Sequence, residues 1–458
     1  MIENKKKTEW STTQMIIFGF LSAILVGTFM LCLPFASASG KATPIIDALF
    51  TATTSVCVTG LVIVNTFEYW SVFGQVIILL LIQFGGLGIV TFTTSLMLII
   101  GRKVTLKDRL LIEDAFNLNT LSGLIRFLRK ILFGTFIIEG TGAIFYMFTF
   151  IPEFGITRGI WISIFNSISA FCNAGIDIIG PDSLMPYVTN PWINLVTMSL
   201  IILGGIGFIV WWDVLRVLKL YKQKEILRNK IMNKLNLHSK IVITTTFFLI
   251  VGGALLIFLL EFDNPATIGH LSGGNKLIAS FFESVTTRTA GFLTVSQKGL
   301  KDSTVVVCML LMFIGGSPVG SAGGIKTTTI ALVFLSALAT INGHEEVTAY
   351  KRTIPLRTVR KAVSVTVIFL VCLMVLTILL SIVVKGSFMD IAFETVSAMG
   401  TVGLSRDFTT SLNFTGKVII IICMYLGRIG PISLAIAFSF KQGKRSLRSY
   451  AKEDITVG

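Results

Sequence analysis

Charge is scarce in this chain of 458 residues, and acidic side chains are scarcer than basic ones. Only 14% of the residues are charged, whereas 53% are hydrophobic and the mean hydropathy is +0.82. A soluble domain with this composition has too little polar surface to cover its apolar side chains. The shortage of charge therefore excludes an ordinary soluble protein and predicts a polytopic membrane protein.

Residues that hold metal ions or form disulfides are also few. The six cysteines lie in or beside apolar segments without paired spacing, and the three histidines (His238, His270 and His344) are scattered in connecting segments. We therefore expect buried free thiols rather than a disulfide framework or a metal centre. No paired carboxylates and no nucleophile with its base stand out, so the sequence predicts neither an enzyme nor a bound cofactor.

What the chain has in abundance is long apolar runs. Continuous runs of about 20 residues are long enough to cross a bilayer as helices, and a barrel would instead show alternation. The first run is expected to be a retained helix rather than a cleaved signal peptide. Eight runs are found, at 14–36, 71–100, 128–151, 192–212, 241–261, 304–341, 362–384 and 416–439.

Basic residues are concentrated between pairs of these runs. The clusters lie at Lys5–Lys7, Arg102–Lys130, Arg216–Lys240, Lys351–Lys361 and Lys441–Lys452. By the positive-inside rule, both termini and the three linkers are cytoplasmic. The net charge of +15 thus reflects topology and attraction to anionic membrane lipids, and no nucleic-acid partner is expected.

One short pattern occurs four times at nearly constant spacing. A glycine follows a phenylalanine by ten residues and is followed directly by a large apolar residue, at Phe50 to Leu61, Phe165 to Ile176, Phe281 to Phe292 and Phe393 to Leu404. Each copy ends a short, hydroxyl-rich segment that is too short to span a bilayer. Repetition with the same internal spacing indicates one structural unit used four times.

The predicted fold is an all-α polytopic membrane protein with eight transmembrane helices and four re-entrant pore loops around one pseudo-fourfold pore. Non-helical backbone at membrane depth must line a cavity or be buried in protein. The predicted units are 14–100 with pore loop 45–61, 128–219 with pore loop 161–176, 241–341 with pore loop 276–292 and 362–440 with pore loop 388–404. The segments 1–13 and 441–458 are predicted to be cytoplasmic termini.

The four glycines suggest a selectivity filter made of backbone. Glycine permits positive φ, so successive carbonyl groups can face one axis and replace the hydration shell of a cation. A neutral ring of carbonyls without carboxylates favours potassium-like ions over calcium. The predicted filter residues are Val58, Thr59 and Gly60; Asn173, Ala174 and Gly175; Thr289, Ala290 and Gly291; and Thr401, Val402 and Gly403.

The run 304–341 is too long for one span and is interrupted by glycine and proline, which cannot continue a regular helix. It predicts a broken helix with an intramembrane loop at 315–326. The predicted gate residues are Gly315, Gly316, Ser317, Pro318, Gly320, Gly323, Gly324 and Lys326. A phosphate-binding loop is not expected, because Ile325 separates Gly324 from Lys326 and no strand precedes the segment.

Glycine clusters follow all four filter glycines, beginning at Gly85, Gly204, Gly315 and Gly427. They are explained either by close helix packing or by backbone that approaches a central axis. In the fourth cluster stands Arg428, which is costly within a membrane and normally faces the protein interior or water. We expect it to act as a gate element; pairing with Glu139 or Glu394 is the alternative. Arg288, next to the third filter strand, makes any symmetry approximate.

The chain resembles the Trk/Ktr/HKT superfamily of cation transporters. The resemblance is carried by four helix, pore-loop and helix units, single filter glycines, the Gly-rich break and the run Gly427-Arg428-Ile429-Gly430-Pro431. The size and short termini are most similar to the membrane subunit of bacterial Ktr systems.

The resemblance covers essentially the whole chain. It implies uptake of K⁺ through the four-loop filter of a channel-like pore, with Gly60 favouring K⁺ over Na⁺ and Arg428 contributing to the gate. It further implies a bacterial plasma membrane, Na⁺ as an activator, a homodimer, and a cytosolic ring of nucleotide-binding RCK-type subunits similar to KtrA. The alternative is a sodium- or proton-coupled symporter, which the parallel repeats disfavour.

Overall fold

The structure, a computed structural model, describes residues 12–88, 124–224, 227 and 231–430, and this part of the chain is mostly helical. Its first half contains α1 (Thr12–Cys32), α2 (Ile45–Cys57), α3 (Thr66–Tyr69), α4 (Val72–Leu87), α5 (Leu124–Phe154), α6 (Ile156–Cys172), α7 (Pro191–Gly205) and α8 (Phe208–Lys222). Its second half contains α9 (Ile231–Lys234), α10 (Leu237–Glu261), α11 (Gly273–Thr286), α12 (Asp302–Phe313), α13 (Thr327–Ile341), α14 (Leu356–Val383), α15 (Phe388–Gly400) and α16 (Phe414–Ile429). A small antiparallel hairpin, β1 (Thr348–Ala349) and β2 (Arg352–Thr353), joins α13 to α14.

Local sequence explains where several of these helices begin. The side chains of Ser71, Asn190, Ser387 and Asn413 accept hydrogen bonds from the first free amides of α4, α7, α15 and α16. Such side chains satisfy backbone donors that have no partner inside the helix. A single polar residue directly before each of these four helices therefore sets where the helix begins.

Four helices of the described part are long and apolar enough to cross a membrane: Gln14–Cys32, Ile125–Phe154, Leu237–Glu261 and Leu356–Val383. Each is followed by one of the short helices α2, α6, α11 and α15, which end just before the predicted filter glycines. By length and composition, four of the eight expected transmembrane helices are thus able to cross a membrane. The parts of the remaining runs at 89–100 and 431–439 lie outside the described residues. So do the linker residues 101–123 and both predicted termini apart from Thr12 and Thr13.

The expectation of one continuous helix over 192–212 is wrong. The chain forms α7 and α8, which are bent by 100° relative to each other at a break around Ile206 and Gly207. Gly207 has φ +93°, a conformation that side-chain-bearing residues rarely adopt. The glycine cluster that begins at Gly204 therefore ends a helix here. By contrast, the break predicted within 304–341 is found, between Phe313 and Thr327.

The buried core follows the repeated phenylalanine in three of four copies. Phe50, Phe165 and Phe393 are fully buried, whereas Phe281 is half-buried and its neighbour Phe282 fills the core instead. Large apolar side chains on the outer faces are exposed, as expected for helices that face lipid rather than water. All six cysteines are free.

Side-chain contacts join the first predicted unit to two of the others. The Lys417 ammonium lies 2.7 Å from the Asp47 carboxylate, and the Tyr425 hydroxyl donates to the Ile17 carbonyl at 2.8 Å. These contacts join the last unit to the first. The Trp161 indole likewise donates to Gln75 at 2.8 Å and joins the second unit to the first.

Candidate functional site

The predicted filter segments share a pattern of backbone conformation, although α11 ends two residues earlier relative to its glycine than α2, α6 and α15 do. Two residues before each glycine stands a residue in the left-handed region: Val58, Asn173, Thr289 and Thr401 have φ of 55°, 59°, 71° and 53°. The glycines Gly60, Gly175, Gly291 and Gly403 also have positive φ, at 97°, 64°, 82° and 94°. Glycine is favoured at the second position because it bears no side chain that clashes in this conformation.

The four glycines meet one another across the units. A Cβ atom added to Gly60 would lie 2.5 Å from the Ala174 carbonyl oxygen. Equivalent additions would overlap the Ala290 carbonyl at Gly175, the Val402 carbonyl at Gly291 and the Thr59 carbonyl at Gly403. Each strand therefore packs against the next in the order first, second, third, fourth and back to first, and any side chain at these positions would push the ring apart.

The amides near the glycines are bonded back to their own short helices. Gly60 N donates to Thr54 Oγ1 at 3.0 Å, and Gly403 N donates to Ser397 Oγ at 3.1 Å. Ala174 N donates to the Ser169 carbonyl at 2.8 Å. The amides are thus satisfied within their own unit, while the strand carbonyls of Thr59, Ala174 and Val402 accept none of the backbone hydrogen bonds found between the described segments. Sequence reasoning missed these supports. The accepting residues all stand six residues before the glycine: Thr54 and Ser397 accept through their hydroxyls, and Ser169 accepts through its backbone carbonyl.

One side of the ring opens into a cavity of about 270 Å³. All four filter glycines line it, together with the carboxylates of Asp177 and Asp407, and none of its lining residues is lysine or arginine. Ser183 Oγ donates to Asp177 at 2.5 Å. Burial nevertheless raises the pKa of the Asp177 carboxyl, in the loop between the filter and α7, to about 6. The cavity can therefore attract cations when this group is ionised.

The predicted gate residues form the segment between α12 and α13, hereafter the Gly-rich loop (314–326). Its two ends are held together, since Gly315 N donates to the Ile325 carbonyl at 2.9 Å and Thr327 N donates to the Gly316 carbonyl at 3.0 Å. The hydroxyls of Ser317 and Thr327 lie 2.9 Å apart. The segment is thus a closed loop rather than an extended connection.

The Gly-rich loop lies next to the predicted fourth filter strand. A Cβ atom on Gly323 would overlap Thr401 Oγ1, and one on Gly324 would lie 3.1 Å from the Gly400 carbonyl. Lys326 Nζ donates to the Ala322 carbonyl at 2.7 Å. Gly323 of the loop therefore packs against the Thr401 side chain of the predicted fourth filter strand, and Gly324 packs against the backbone just before that strand.

Arg428 bonds the Gly-rich loop to the first unit. Its guanidinium donates to the carbonyls of Ser321 and Gly85. Within residues 12–88, 124–224, 227 and 231–430 it has no ion pair, and the two expected alternative partners are engaged elsewhere. Glu139 accepts from Gln83 at 3.2 Å, and Glu394 accepts from Ser405 at 2.7 Å and from Thr409. Gln83 is the partner of Glu139 that the sequence did not identify.

Close helix packing explains three of the glycine clusters. A Cβ atom on Gly85, Gly204 or Gly427 would overlap the carbonyl of Val56, Phe171 or Met399, each near the end of a short helix. The third cluster, which includes Gly315 and Gly316, instead belongs to the Gly-rich loop. Arg288, to which the sequence assigned no role, is buried and donates to the Gly315 carbonyl at 3.5 Å.

A sequence model of the TrkH family, described as "Cation transport protein", matches residues 6–448. The chain belongs to the TrkH family. It is 38% identical over 462 residues to the Ktr system potassium uptake protein B of Bacillus subtilis, with 100% of both chains covered. It is 37% identical to the potassium/sodium uptake protein NtpJ of Enterococcus hirae, again with 100% of both covered.

A solved structure shares the fold. The crystal structure of the potassium transporter TrkH from Vibrio parahaemolyticus matches with a TM-score of 0.73, covering 96% of this chain and 87% of that one. The identity between the two is 16%, so this likeness concerns the fold alone.

Proposed function

We propose that the chain takes up potassium ions through a channel-like pore whose selectivity filter is the ring of Gly60, Gly175, Gly291 and Gly403. The closed contact of each glycine with the next strand's carbonyl carries this proposal. A ring of backbone oxygens replaces the hydration shell of a monovalent cation, and no side-chain charge is needed within it. The family description as a cation transport protein and the potassium uptake named for the relatives agree with this reading.

The Gly-rich loop is proposed as the gate of this pore. It lies against the fourth filter strand, and its carbonyls are bound by the cationic groups of Lys326 and Arg428. Side-chain cations that occupy carbonyl oxygens compete with a passing cation for the same ligands and oppose its entry. Opening would therefore require the loop and its bound cations to move together.

Regulation and assembly follow from the relatives and are proposed in the same way. The name "Ktr system" of a relative implies more than one component, which fits a cytosolic nucleotide-binding ring of the RCK type. We also propose a homodimer, a bacterial plasma membrane location with both termini cytoplasmic, and Na⁺ as an activator, the last supported by the name of the potassium/sodium relative.

Rubidium flux into liposomes that contain the purified protein tests the function directly. A channel-like pore should pass rubidium down its gradient without a sodium or proton gradient. If flux occurs only when one of those gradients is imposed, a coupled symporter is the correct function instead.

Gly60→Ser should shift the ion preference toward sodium. The serine side chain has to be accommodated against the Ala174 carbonyl at a φ of +97°, which distorts the ring of oxygens. The ratio of rubidium to sodium flux should fall in this variant and stay unchanged in Gly252→Ala, where an added Cβ meets no atom within 4 Å. An unchanged ratio in folded Gly60→Ser protein would remove the first unit from the filter.

Arg428→Gln should raise rubidium flux in the absence of any partner by about tenfold, the effect expected from losing a charged hydrogen-bond donor in one state of a two-state gate. Arg357→Gln, a change at an exposed arginine of α14, is the matched control. Flux that stays at the parent level in folded Arg428→Gln protein would show that Arg428 does not hold the gate.

Acidification should weaken rubidium uptake, because Asp177 is negative above its raised pKa of about 6 and neutral below it. Uptake at sub-saturating rubidium should fall as the pH on the cavity side drops through that value, since the cavity loses a negative charge. Asp177→Asn should lack this step, and Asp182→Asn, an exposed neighbour, should keep it. An identical pH profile for Asp177→Asn and the parent would rule out this role.

A further inference from the structure

The Gly-rich loop rests on the break between α7 and α8 in the second unit. Ser317 N donates to the Gly205 carbonyl at 2.9 Å, and Ser321 N donates to the Gly204 carbonyl at 3.2 Å. In the opposite direction, Phe208 N donates to the Val319 carbonyl at 2.9 Å. Three backbone hydrogen bonds thus join the loop to the last residues of α7 and the first residue of α8.

This junction leaves no room for side chains. A Cβ atom on Gly207 would lie 2.6 Å from the Pro318 carbonyl oxygen, and one on Gly320 would lie 3.0 Å from the Gly204 carbonyl oxygen. Since backbone packs directly on backbone, a displacement of α8 cannot be absorbed by side-chain rotation. Movement of α8 must therefore displace the loop or break these bonds.

The sequence of α8 changes character along its length. It starts with the apolar residues Phe208–Trp212 and ends with the basic residues Arg216, Lys219 and Lys222. Tryptophan and lysine in this order are typical of the region where a membrane helix meets the lipid headgroups. Lys130 of α5 adds a further positive charge, with its ammonium 5.2 Å from the centre of the Trp212 ring.

One face of α8 is packed and the other is open. Phe208, Val210, Asp213 and Val217 are buried, and the Asp213 carboxylate accepts from Asn236 N at 2.8 Å at the start of α10. On the open face, Leu215 is 50% exposed and Leu218 is 41% exposed, alongside the exposed Lys219 and Lys222. Apolar side chains interleaved with lysines at a headgroup region fit the acyl chains and phosphates of anionic lipids.

We propose that anionic phospholipid headgroups bind the exposed basic end of α8 and thereby hold the Gly-rich loop in its place next to the filter. This inference rests on the proposed gate function of that loop. A lipid that binds the seated position of α8 more tightly than a displaced one shifts the population toward the seated loop. The second unit thus contributes a lipid-binding helix, α8, in addition to one of the four filter strands.

The test compares rubidium flux of the full-length protein in vesicles of phosphatidylcholine alone and in vesicles that also contain phosphatidylglycerol. At saturating rubidium the parent should conduct about fivefold less in the anionic vesicles, the factor that one lysine near an anionic surface contributes. Lys219→Gln/Lys222→Gln should conduct equally in both. The control pair Arg360→Gln/Lys361→Gln removes the same charge from exposed positions on α14 and should keep the difference.

Disrupting the backbone contact between the α7–α8 break and the Gly-rich loop tests whether α8 transmits lipid binding to the loop. Gly207→Ala should raise flux in both kinds of vesicle and abolish the lipid dependence, whereas Gly252→Ala should behave as the parent. If Gly207→Ala does not fold, the exposed lysine pair still decides the question.

Two results would overturn the proposal: the same lipid dependence in Lys219→Gln/Lys222→Gln as in the parent, or no dependence in the parent. If neither the parent nor Arg428→Gln conducts rubidium in either kind of vesicle, the potassium pore is contradicted, and the lipid effect on it with it.

Discussion

The contact between a glycine and the carbonyl group of the neighbouring strand is the constraint on which the rest of this structure depends. It occurs four times, from Gly60 to Ala174 and onward around the ring to Gly403 and Thr59. Each short helix must end close to its glycine, and α2, α6, α11 and α15 all end within five residues of it. The outer helices then have to surround this ring, and their exposed apolar side chains suit them to lipid.

Close packing against glycine extends from the ring to the Gly-rich loop. The Gly-rich loop meets Thr401 through Gly323 and meets the α7–α8 break through Gly320, positions at which any side chain would overlap backbone or a hydroxyl. Carbonyl groups of the loop are bound by Arg428 and Arg288 from outside it and by Lys326 from within it. A pore that selects cations by carbonyl oxygens is thus proposed to be closed by side-chain cations that use the same kind of ligand.

Much of this could be predicted from the sequence, because the signals were repeated or costly. Without a pore it is hard to explain the four glycines at nearly constant spacing, the glycine and proline interruption after Phe313, and Arg428 within an apolar run. The break at Gly207 was missed because the run 192–212 is continuously apolar, and hydropathy does not report on φ. The partners of Glu139 and Arg428 could not be predicted, since they are a side chain and two carbonyls that only the folded chain brings near.

The central claim is that the four strands form one cation-binding ring. Anomalous diffraction from crystals grown in rubidium would test it most directly, because rubidium substitutes for potassium and is located independently of the protein atoms. Rubidium density is expected on the axis between the carbonyl oxygens of Thr59, Ala174, Ala290 and Val402, and none there from crystals grown in sodium alone. An axis without rubidium density beside well-ordered Gly60, Gly175, Gly291 and Gly403 would contradict it.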